Sequence, residues 1–225
     1  MLTYVLRVWI PDRPGALGAV ASRIGAVRGD LIGIDILERG AGMAIDELVV
    51  DLPDEGLVPL LVHEVSEVDG VAVEEVRQVS GPGLADPRLA ALESAAFVVA
   101  QQSRQDVVSA LVVRAAADFE ATWATIAGGR ETGIHAEVGE CPPARWTDAF
   151  VSGTRSAASN PGGGAGSGPD DIAWAALAGA GLDLVLGRPG RPVRRRERDQ
   201  LAALARIADL RWSELAGATS ASAHR

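Results

Sequence analysis

Two hydrophobic periodicities alternate along the first third of this chain, and their order leaves few folds open. Residues 4–10 interleave Val5 and other apolar side chains with Arg7, as a strand does, and stop at Pro11-Asp12-Arg13-Pro14-Gly15, a dense turn signal. Over 16–29, Leu17, Val20, Ile24 and Val27 recur at helical steps, and Gly29 marks the stop. A β-branched strand follows over 31–37, with Ile32, Ile34 and Ile36 on one side. Arg39-Gly40-Ala41-Gly42 has the length of a hairpin turn, and 44–52 returns with Leu48, Val50 and Leu52 aligned. Pro53-Asp54 opens a second helix with the stripe Leu57, Leu61, Val65 and Val68; Pro59 falls near its first turn, where a missing N–H costs little. After Asp69-Gly70, residues 71–79 form the last strand. Strand–helix–strand–strand–helix–strand is the split βαβ order, and one apolar stripe per helix puts both helices on one face of a four-stranded antiparallel sheet.

The rest of the chain has a different texture. Ser80-Gly81-Pro82-Gly83 reads as a linker. From residue 86, Leu89, Leu92, Ala96 and Val99 mark one helix, and Val107, Leu111 and Val112 a second over 106–118. Short strands are expected at 121–127 and 133–139 around Gly128-Gly129-Arg130, then a helix at 145–155. Residues 159–169, SNPGGGAGSGP, read as a flexible loop. A hairpin at 172–188 precedes a terminal helix at 194–212 carrying Leu201, Leu204, Ile207 and Ala208. The resulting division is a first domain at 1–80, a linker at 81–85, a second domain at 86–212 and a flexible tail at 213–225.

Charge and composition exclude several roles. Net charge is −9 over 225 residues, and the one basic cluster, 191–198, stands against it, so a nucleic-acid partner is not expected. The longest apolar stretch, 172–187, is interrupted by Gly179, Gly181 and Asp183 and falls short of the roughly 20 residues of a membrane span. Residues 1–10 alternate like a strand and lack the marks of a secretory signal. One cysteine, Cys141, permits no internal disulfide and fits a reducing compartment. A cytoplasmic location follows as the expectation.

The loop Asp12-Arg13-Pro14-Gly15-Ala16-Leu17, together with Gly29-Asp30-Leu31-Ile32 and Val68-Asp69-Gly70-Val71, resembles the ACT domain family over residues 3–79. The resemblance implies a ferredoxin-like βαββαβ domain that binds an amino acid at this loop and pairs with a second copy through its sheet. The implied ligand residues are Asp12, Arg13, Pro14, Gly15, Ala16, Leu17 and Leu31. Physical chemistry gives the loop a use of its own: a helix N-terminus favours a carboxylate, Gly15 admits close approach, and Asp12 can cap the helix or receive an ammonium group. The family's pocket is completed by polar side chains two residues before the loop and at the start of the second strand, where this chain has Ile10 and Leu31. Backbone and Asp12 hold the ligand, or the ligand is a hydrophobic amino acid, or the module only dimerises. Residues 86–212 resemble a degenerate GAF-like domain, ending in the strand–turn–helix run from Leu182 to Asp209. The expected fold class is therefore α+β in both parts.

Chemistry elsewhere is sparse. His135 and Cys141, with Glu137 and Glu140 nearby, match no common zinc spacing, so no metal and no cofactor are expected. The glycines of 162–168 lack the Gly-Lys-Ser/Thr ending of a phosphate loop, and the chain has no Lys. His63 is expected at a helix surface, and the five tryptophans in cores. The basic run 194–198 is expected to be the start of the last helix, compensated by an acidic neighbour. The leading expectation is a non-enzymatic regulatory protein that senses a small amino acid. The alternatives are a dimerisation or interaction scaffold without ligand, and an enzyme built on Cys141 and His135.

Overall fold

A computed structural model describes residues 1–79, 87–129, 134–158 and 169–222. The chain divides into two compact units, Met1–Ala85 and Asp86–Arg225, both mixed α+β; among the described residues there are two antiparallel sheets and six α-helices. The linker at 81–85, the turn residue Arg130 and the glycine-rich run at 159–168 lie outside the described residues. No helix among the described residues is long and apolar enough to cross a membrane.

In the first unit β1 (Leu2–Pro11), α1 (Ala16–Ala26), β2 (Asp30–Gly40), β3 (Met43–Leu52), α2 (Val58–Ser66) and β4 (Ala72–Val79) follow in the order read from the sequence. The sheet order is β2-β3-β1-β4, all neighbours antiparallel. β1 is interior and buried along nearly its whole length. Its even positions Tyr4, Leu6, Val8 and Ile10 share one core with Val20 and Ile24 of α1 and Leu61 and Val65 of α2. On the odd phase Arg7, 2% exposed, pairs with Glu47 at 2.7 Å.

Two local details differ from the sequence reading. The left-handed residue ending α1 is Arg28 (φ 63), not Gly29; Gly29 N–H returns to Ile24 O and Arg28 N–H to Gly25 O, the paired bonds of a Schellman cap. In β2 the register shifts between Leu31 and Gly33, so Ile32 falls out of the ladder while Ile34 and Ile36 face Leu48 and Asp46. The three isoleucines therefore do not form one buried row, and Ile32 and Ile34 are about half exposed at 50% and 47%. The β2–β3 hairpin closes through Ala41 and Gly42, both at positive φ, the pattern of a two-residue turn matching sheet twist. Pro59 lies in the first turn of α2, where no intrahelical donor is lost.

The second unit orders β5 (Trp123–Ala127), β6 (Glu137–Gly139), β7 (Ile172–Leu177) and β8 (Leu182–Gly187) as β6-β5-β8-β7. Alternate residues of β5 face opposite sides. Ala124 and Ile126 pack with α3 (Pro87–Val99), α4 (Arg104–Asp118) and α6 (Arg195–Ser222), whereas Trp123 and Ala127 pack with Val151 of α5 (Ala144–Ala158). A sheet covered on both faces explains why β8 is almost continuously apolar.

The stripe Leu89, Leu92, Ala96 and Val99 is not the buried face of α3; Leu92 is 68% exposed, and Ser94 and Val98 are inside instead. The helix is apolar nearly all round, so periodicity could not select a face; Ser94, which accepts Arg114 Nε–H at 2.8 Å, lets α4 take the other side. Trp123 and Trp212 are core residues as expected, but Trp146 is 39% exposed, stacked on Phe150. α6 runs to Ser222, so the helix extends through residues 213–222 of the segment expected as a tail.

The acid that compensates the basic run is Glu197, inside the run. Its carboxylate accepts Arg194 N–H at 2.7 Å and Arg188 Nη2 at 2.6 Å. Arg188 is 2% exposed and also donates to the carbonyls of Phe119, Arg191 and Pro192. Breaking this pair from one side leaves a buried guanidinium uncompensated. Glu197→Ala is expected to cost about 3 kcal/mol, with Arg188→Met plus Glu197→Leu costing much less, read by near-ultraviolet circular dichroism in urea.

Candidate functional site

The loop between β1 and α1 is held from two sides. Asp12 N–H donates to Gly42 O at 2.9 Å, tying it to the β2–β3 hairpin. Gly70, at φ 77, lies so close to Pro11 that a Cβ there would sit 2.8 Å from Pro11 Cγ. The neighbouring Asp69 meets Arg13 at 3.7 Å across open surface. The sequence fragments 11–17 and 68–71 thus converge at one end of the sheet.

Asp12 does not cap α1. The N-cap is Gly15, in the left-handed region at φ 86, and no side chain accepts a hydrogen bond there. Arg13 and Pro14 stand between Asp12 and the cap, so the Asp12 side chain is exposed beside the loop instead. Gly15 borders open space, since a Cβ built on it meets nothing within 4 Å. Ala16 is 3% exposed and Leu17 packs partly against the core, which anchors the first turn. The first turn carries no acidic residue. Its amide groups and dipole favour an anion in front of the loop.

Leu31 lies elsewhere. It faces Val50, which faces Tyr4, whereas the loop leaves β1 at Pro11. At about 3.4 Å per residue, Leu31 is about 24 Å along the sheet from that loop. Residues 12–17 are brought together; Leu31 of the same chain is not. Ile10 is 2% exposed and belongs to the core.

The structure adds a residue the sequence reading passed over. Asp46 stands on β3 opposite Val8 and Ile36, close to the loop end, where Met43 faces Pro11. It is 4% exposed and its Oδ1 has no hydrogen-bond partner. Burial pushes its carboxyl pKa above the ordinary value; Arg39 opposes the rise, and Asp12 and Asp35 add to it. A signal existed in the sequence, since Asp46 occupies the apolar phase of Ala44, Leu48, Val50 and Leu52.

The second unit holds a cleft of about 330 Å³ lined by Thr125, Gly128, His135, Glu137, Pro142 and Asp148, among others. Asp148 accepts Gly128 N–H at 3.2 Å, and His135 meets Glu137 at 3.2 Å on the surface. Cys141 Sγ turns to the carbonyls of Ala124 and Val138, and burial pushes its thiol up, which disfavours the thiolate. Asp183, raised chiefly by burial, is bound by Arg155 at 2.6 Å. Among the described residues no three His, Cys, Asp or Glu side chains gather as a metal site would require.

No protein-family model matches the chain, and no curated protein matches it. Among solved structures it is similar to an unknown protein from Galdieria sulphuraria, at TM-score 0.31 and 16% identity, covering 45% of this chain and 64% of that one. It is also similar to a formyltetrahydrofolate deformylase from Pseudomonas putida KT2440, at TM-score 0.27 and 20% identity, covering 40% and 36%. The chain thus spans less than two-thirds of either. At these TM-scores neither likeness carries fold or activity across.

Asp46 makes stability depend on pH in a defined sense. Its folded pKa lies above 3.8, so its contribution is most favourable below that value and is lost as pH rises through the folded one. Asp46→Asn removes the loss. The variant is expected to be more stable than the native chain at neutral pH and to lose that advantage as pH falls toward 3.8, read by hydrogen exchange of β1 and β3 amides.

Proposed function

We propose that the first unit is a non-enzymatic, amino-acid-sensing module of the ACT type, acting as a homodimer, with the GAF-like second unit as its responding part. The observation that carries this reading is the α1 N-terminus, reached through Gly15 with no side-chain cap and flanked by the exposed carboxylate of Asp12. Together they offer one attraction for a carboxylate and another for an ammonium group. Where the family carries polar groups this chain has Ile10 and Leu31, so the polar contacts a hydrophilic ligand would use are not supplied from those positions, and the ligand we propose is an aliphatic amino acid. The thiol of Cys141, turned to backbone carbonyls, supports a non-catalytic role.

Pairing through the sheet accounts for Leu31. β2 is an edge strand with Ile32 and Ile34 half exposed, a surface that invites a further strand. A two-fold antiparallel pairing centred on Asp35 sets Leu31 of one copy opposite Arg39 of the other, at the loop end. The site would then be composite.

Two measurements test the reading. Titration calorimetry against the twenty L-amino acids is expected to show binding by an aliphatic one and its loss in Asp12→Ala; no heat for any ligand removes the sensing function. Light scattering is expected to find a dimer that Ile34→Asp dissociates, while Asp12→Ala leaves it intact. A dimer that binds nothing favours the scaffold reading instead.

A further inference from the structure

α3 is built almost entirely of apolar residues; Arg88, Glu93 and Ser94 are its only polar ones. A helix of that composition is ordinarily covered on all sides. Here α4 and α6 pack on one side, where Ser94 and Val98 are buried. The opposite side carries Leu89, Leu92, Ala96 and Val99, all exposed, with Leu89 at 52% and Val99 at 45%. Their steps of three, four and three follow the seven-residue repeat by which two helices interlock along a seam. At about 3.6 residues per turn, the two charged residues of α3, Arg88 and Glu93, stand on opposite flanks of that seam.

We propose that this face of α3 pairs, parallel and in register, with α3 of a second copy, inside the homodimer proposed above. The charges choose both the occupant and the direction. In a parallel two-fold pair each flank meets the opposite flank of the other helix about five residues on, so Arg88 faces the partner's Glu93 on both sides of the seam. An antiparallel pair would bring like flanks together, Arg88 beside Arg88 and Glu93 beside Glu93, with no attraction across the seam. Area sets the role of the contact. The 13 residues of α3 make a helix about 20 Å long and about 10 Å across, so its face offers about 200 Å² in projection, well below the roughly 800 Å² per partner of a stable interface. The α3 pair therefore does not hold two copies together by itself; it rests on the sheet pairing through β2. Both contacts are isologous, and one two-fold dimer can hold both.

The test uses the full-length chain with Cys141→Ser, so that an introduced cysteine is the only thiol. Each variant's fold is checked by circular dichroism. Leu92→Cys and Ala96→Cys lie on the seam, and each is expected to form a disulfide dimer with itself on mild oxidation. Ala91→Cys, exposed but off the seam, is expected to remain largely monomeric on a non-reducing gel. Adding Arg88→Glu to Leu92→Cys is expected to slow cross-linking about tenfold, and adding Glu93→Arg to that variant to restore it. Equal cross-linking at all three positions overturns the seam. Cross-linking only in a mixture of Leu92→Cys with Ala96→Cys shows antiparallel pairing and overturns the proposal. If light scattering finds a dimer and neither seam cysteine cross-links, the α3 pairing falls and the sheet pairing stands. Seam cross-links are expected to be lost in Ile34→Asp; if they form there undiminished, the α3 pairing stands and the sheet pairing falls.

Discussion

A charge taken out of water inside a sheet needs a counter-charge, and both units of this protein are organised around that requirement. Arg7 on the central strand of the first sheet is closed by Glu47. Asp183 in the second is met by Arg155, and Arg188, just past the end of β8, is enclosed by Glu197 and three carbonyls. Each pair joins segments that must first be brought together by apolar packing. The pairs select the arrangement more than they supply its stability, because desolvation offsets much of their attraction. Against this pattern Asp46 is the exception, buried to the same degree with one oxygen unanswered.

Asp46 faces Val8 on the same sheet, and the loop is held further along at the Pro11 end. The hairpin at Ala41-Gly42 accepts Asp12 N–H, Gly70 leaves room for Pro11, and Gly15 turns the chain into α1 without covering the helix end. A rigid frame around an uncapped helix end and an unpaired carboxylate is costly for folding alone.

Much of the first unit was legible because its side chains obey local rules. Val20 and Ile24 on α1, and Leu61 and Val65 on α2, stand at helical spacing and point where that spacing says. The edge strand obeyed them less well: one extra residue at Ile32 shifted the phase of Ile34 and Ile36, and a second shift before Glu38 restored it, events periodicity cannot foresee. In the second unit α3 is apolar on several sides, and the buried face was set by the helices packing on it. The site divided the same way. Residues 12–17 are contiguous and were found together, whereas Leu31 was assigned to them by resemblance and stands at the opposite end of the sheet.

By itself the sequence determined the order of elements, the position of the β1–α1 loop and the overall α+β character, because periodicity, turn residues and caps act over a few neighbouring residues. Only the tertiary structure decided that Gly15 rather than Asp12 begins α1, that Arg28 rather than Gly29 ends it, and that Asp46 is buried without a donor. The physical reason is common to the last two. Arg28 takes a conformation that Gly29 would adopt more cheaply because the chain must enter β2 there, and the donors that Asp46 lacks would have to come from residues remote in sequence.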